Sequence, residues 1–256
     1  MKFARPPRPN LAGAFSLLEL MVVVGIMIVG VALAVPALTR SENLTNAVYT
    51  LQGVMDQART YAVANNTYTW VGVFEEDGAS TSQTPGKSGT GRVVLCIVAS
   101  QDGTSVYNKR AAESGGGGTS QKLDPTRLAL VGKLVRLEGV HILDAAGTAI
   151  GKRPAGLVRQ EHLVGLATGA PLFTFNYPLT GTATYTFGQG PGPGANGIIQ
   201  FNPQGEAISA IGPVGTPVPN LEISLQPAHG NTPGSNANLA SLNLSGLTGQ
   251  TTIYRP

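Results

Sequence analysis

An apolar run from Phe15 to Leu38 follows a short basic leader, and Glu19 is its only charge. As a helix rising 1.5 Å per residue, such a run is about 36 Å long, enough to cross the ~30 Å hydrocarbon core of a bilayer. A carboxylate inside a segment of this kind costs about 2.5–3.5 kcal/mol on insertion scales, so its presence calls for a partner. A conventional secretory signal has a core of about 7–15 apolar residues and is cut after it. This run is longer, and its small Gly13-Ala14 pair precedes it, placing a cut point before Phe15 and four residues ahead of Glu19. A plain anchor would have no use for a carboxylate near its start.

Charge placement sets an orientation. Lys2, Arg5 and Arg8 stand in the leader with no acid, which predicts a cytoplasmic N-terminus by the positive-inside bias. The sequence pI of about 9.1 invites a nucleic-acid reading. Yet the leader holds three of the seventeen basic residues, and the fourteen that remain face fourteen acids. Nucleic acid is therefore not an expected partner.

Beyond Pro36 the helical pattern changes style. Leu44, Ala47, Val48, Leu51, Val54, Met55, Ala58 and Ala62 recur at three- and four-residue steps, which marks one apolar face. The spacing predicts one helix from about Phe15 to about Asn65, bent near Pro36, where a backbone bond is lost. Asn65-Asn66 ends it. Segments rich in β-branched or aromatic residues follow, among them Thr67–Phe74, Gly91–Val98, Gly197–Phe201, Leu221–Gln226, Leu239–Leu244 and Thr251–Tyr254. Gly-, Ser- and Pro-rich stretches separate them, such as Asp102–Lys122 and Gly188–Asn196. Cys96 is the sole cysteine, which excludes an intrachain disulfide and reads as a buried thiol in an apolar strand.

The segment Ala14/Phe15-Ser16-Leu17-Leu18-Glu19-Leu20-Met21-Val22-Val23 resembles the class III signal of type IV pilins and type II secretion pseudopilins. That resemblance implies cleavage between Ala14 and Phe15 by a prepilin peptidase and N-methylation of Phe15. It also implies that Glu19 meets the Phe15 amine of a neighbouring subunit, and that Pro36 is the helix-kinking proline. The family usually has Gly before the cut, where this chain has Ala14. Leu51–Asn66, Val135–Val140, Ile199–Ala207 and Leu247–Tyr254 resemble, in order, later signatures of the GspH/FimT minor (pseudo)pilin group.

No catalytic constellation stands out. His141, His162 and His229 are far apart and none has metal-ligand spacing. Glu75-Glu76-Asp77-Gly78 offers oxygens of the kind Ca²⁺ takes, but three adjacent acids at a strand end read as a solvated turn. Gly190–Gly197 has glycines at nucleotide-loop spacing, yet its prolines remove donors that a phosphate cradle needs. No enzyme activity, metal or cofactor is expected.

The expected fold is α+β and type IV pilin-like. A long N-terminal helix, its first half membrane-spanning, packs on an antiparallel β-sheet headgroup with long Gly/Pro-rich loops. Residues 1–14 are the leader, 15–38 the transmembrane and polymerisation helix, 39–66 its amphipathic continuation, and 67–256 a periplasmic headgroup. The resemblance implies a minor subunit of a type II secretion pseudopilus or type IV pilus, single-pass in the bacterial inner membrane before assembly. Its partners would be the prepilin peptidase, other (pseudo)pilins, the inner-membrane assembly platform and membrane lipid. The competing readings are a ligand- or DNA-binding tip pilin and a membrane-anchored periplasmic binding module unrelated to filaments.

Overall fold

The computed structural model describes residues 17–105, 121–143, 161–162, 173–188, 196–209, 219–234 and 238–255. The chain divides into two units, Met1–Thr39 and Arg40–Pro256. Helix α1 runs over Leu17–Ala64. Strands β1 to β5 follow at Thr69–Asp77, Gly91–Ser100, Gln121–Lys122, Leu128–Leu130 and Val135–Glu138. Next come β6 to β10 at Val140–Ile142, Glu161–His162, Phe173–Tyr177, Tyr185–Phe187 and Asn196–Phe201. Strands β11 to β15 are Ala207–Ser209, Asn220–His229, Thr232–Pro233, Ala240–Ser245 and Thr251–Tyr254.

In the second unit, the first sheet has the order β11-β10-β1-β2-β4, with β5 also paired to β2. The second has the order β13-β12-β14-β15, with β6 and β7 on β12. A small third sheet, β3-β8-β9, joins β3 and β8 in parallel. All other pairings are antiparallel except β7 with β12.

The α1 stripe supplies one wall of the main core. Leu44, Ala47, Val48, Leu51, Val54, Met55, Ala58 and Ala62 are all buried. They cluster with Val71 and Val73 of β1, Leu95 and Ile97 of β2, and Ile223 and Leu242 of the second sheet. The opposite face of the first sheet is buried too. There Trp70, Phe74, Cys96 and Ile198 meet the aromatic side chains of the third sheet, Phe173, Phe175, Tyr185 and Phe187. Because β1 is buried along its whole length, its sequence shows no clean apolar–polar alternation, as expected for a strand covered on both faces. Gly72 is where the aromatic layer closes on the backbone: a Cβ there would lie 2.5 Å from Phe187 Cγ. Only a residue without a side chain fits.

Polar bonds fix the helix in this unit. Asn66 takes a left-handed φ of 47°. Its N–H donates to Val63 O at 3.4 Å and that of Thr67 to Ala62 O at 3.0 Å, closing the helix with a Schellman-type cap. Thr69 Oγ1 donates to Ala58 O at 3.0 Å, from strand to helix. The C-terminal segment runs back to α1: Arg59 Nε donates to Thr248 O at 2.8 Å, and Arg255 Nη2 to Thr45 Oγ1 at 3.0 Å. Thr251 Oγ1 accepts from Gln52 Nε2 and donates to Asp56 Oδ1.

The expectation of a pilin-like α+β class with a membrane-spanning first half is corrected, and with it the transmembrane and single-pass inner-membrane assignments. The described chain is mostly antiparallel β-sheet. Among the described residues no helix is long and apolar enough to cross a membrane. The buried apolar stripe of α1, Leu44 to Ala62, faces the sheets of the second unit.

Met55 is wholly buried at the centre of the stripe. Met55→Ala is expected to lower unfolding free energy by about 2–5 kcal/mol through lost transfer energy and a residual cavity. Chemical denaturation of both proteins checks this, and an unchanged midpoint would contradict the packing described.

Candidate assembly helix

The residues singled out in the sequence are distributed unevenly over the structure. Ala14 and Phe15 lie outside the described residues. Glu19 lies in the first described turn of α1. Pro36 falls within the helix, and its side chain lies outside the description.

Around Glu19 the helix presents apolar side chains to solvent. Leu17 is 77% exposed, Met21 69%, Ile26 67% and Val29 60%. A Cβ added at Gly25 would meet nothing within 4 Å. Apolar surface is driven out of water at roughly 25 cal/mol per Å², so a helix exposed on this scale is disposed to associate.

The acids at the end of β1 differ from the solvated turn expected of them. Glu75 and Glu76 are buried, and Asp77 nearly so. Alternation along the strand sends them to different partners. Glu75 Oε1 lies 2.6 Å from His141 Nδ1 and accepts from Gly91 N–H at 3.2 Å, linking the first sheet to the second. On the other face, Glu76 Oε2 accepts from Arg92 Nη1, Ser82 Oγ and Tyr185 OH at 3.0–3.3 Å. Asp77 Oδ2 accepts from Lys87 Nζ at 2.9 Å. Each carboxylate is thus engaged by its own donors. Among the described residues no group of three His, Cys, Asp or Glu side chains could hold a metal ion.

The histidines remain apart. His141 is in β6, His162 sits opposite Glu222 in the β7–β12 register, and His229 ends β12 and is exposed. Of the Gly190–Gly197 stretch, the described Asn196 and Gly197 begin strand β10, and the rest lies outside the described residues.

A cavity of about 550 Å³ opens beside the C-terminal end of α1, lined by Tyr61, Asn65, Asn66, Ser100, Gln101 and Asp102 among others. Its polar groups largely serve the chain itself. Asn65 Nδ2 donates to Tyr61 O, Gln101 Nε2 donates to Leu128 O, and Asp102 Oδ1 accepts from Ser100 and Thr104 hydroxyls.

Sequence reading missed the partners that hold these acids, because His141, Arg92 and Lys87 stand 66, 16 and 10 positions from their carboxylates. The one available signal was the presence of basic residues within other strand segments. No family model matches this chain, and no curated protein or solved structure matches it either.

Burial pushes the Cys96 thiol up to about 12, so it is protonated at neutral pH and the reactive thiolate is absent. Iodoacetamide should label Cys96 only under denaturing conditions; rapid labelling of the native protein, read by intact mass, would contradict its burial.

Lys87 holds the Asp77 carboxyl below its ordinary 3.8, with the Ala79 N–H adding to the effect. Arg127, then the Thr104 and Ser100 hydroxyls, hold Asp102 lower still. A depressed folded pKa gives stability that is present above the unfolded value and lost as pH falls through the folded one. Urea midpoints should therefore drop as pH falls below about 4. Asp102→Asn should shrink that drop, and an identical acid profile in the variant would contradict the assignment.

Proposed function

We propose that this chain is a non-catalytic structural subunit that assembles with like subunits through its N-terminal helix. In this reading it is cut between Ala14 and Phe15 by a prepilin peptidase and methylated at Phe15. It then packs in the manner of a minor subunit of a type II secretion pseudopilus or type IV pilus. A membrane span is no part of the proposal. The observation that carries it is the exposed apolar helix Leu17–Val29, whose one charged residue, Glu19, stands near its start.

Two physical effects support the reading. Lateral packing of helices from neighbouring copies removes this apolar surface from water. A carboxylate carried into that apolar contact costs least where an amine meets it, so one stagger between neighbours is favoured over slipped ones. Phe15, as a new N-terminus four residues before Glu19, supplies such an amine on each adjacent copy. The buried acids and Cys96 of the β-sheet unit serve its own stability.

Co-expression with an active prepilin peptidase tests the proposal through intact mass and N-terminal sequencing. The expected product begins at methylated Phe15. Glu19→Ala should be cut equally well yet lose most of its cross-linking into higher-order species. Retention of Met1–Ala14 despite an active peptidase, or unchanged cross-linking of Glu19→Ala, would contradict it.

A further inference from the structure

We draw no further inference here: the strongest candidate, the buried polar row of Glu222, Ser224, Gln226, Ser241 and Asn243 on the face of the second sheet turned away from the main core, with Gln226 Oε1 and Asn243 Nδ2 lacking hydrogen-bond partners, carries nothing because nothing in the structure shows what covers it.

Discussion

The packing of one helical stripe against two sheets is the contact on which the rest of the second unit depends. The fully buried positions of the stripe from Leu44 to Ala62 are aliphatic, Met and Ala side chains packed against the sheets. The first sheet cannot bury Val71, Val73, Leu95 and Ile97 without them. Ala58 and Ala62, both wholly buried, occupy the part of the stripe where Thr69 reaches the helix backbone. Larger side chains there would force the strand away, and overpacking of a filled core commonly costs about 1–3 kcal/mol. The terminal hydrogen bonds from Thr248, Thr251 and Arg255 lie along the same helix. They act on a contact that apolar burial has already set.

Polar groups inside the unit follow a consistent logic. A buried carboxylate is costly unless donors meet it; each acid at the end of β1 has such donors, with Glu76 engaged through Oε2 alone. Glu75 reaches across to the second sheet, whereas Glu76 faces the aromatic layer and Arg92, itself bonded to Glu138 at 2.7 Å. These contacts make the end of β1 a junction between layers. A calcium reading fails here for geometric reasons, because alternation along the strand points Glu75 and Glu76 to opposite faces.

Much of the β-rich unit was legible in the sequence, and the reasons are local. The stripe from Leu44 to Ala62 has the helical period, and every position it named is buried. Runs such as Val93–Val98 and Leu221–Gln226 have strand composition and form β2 and β12. The two-residue strands β3, β7 and β13 are too short to show a period, and their pairing is set by distant partners. The fate of Glu75–Asp77 was equally hidden, since composition reads adjacent acids as solvated while His141, Arg92 and Lys87 make them internal. Phe15–Leu38 read as membrane-length, yet among the described residues no helix is long and apolar enough to cross a membrane. The leader motif at Ala14 and Phe15 is legible only as sequence.

Helix α1 packs within the chain and, in the proposed assembly, also between copies. Amide hydrogen exchange on isolated and assembled protein measures both at once. In the isolated protein, amides from Leu44 to Ala62 should exchange with the slow core strands, while those of Leu17–Val29 exchange fast. On assembly only the second group should slow. Equal protection of Leu17–Val29 in isolated and assembled protein would contradict the claim, as would fast exchange along Leu44–Ala62.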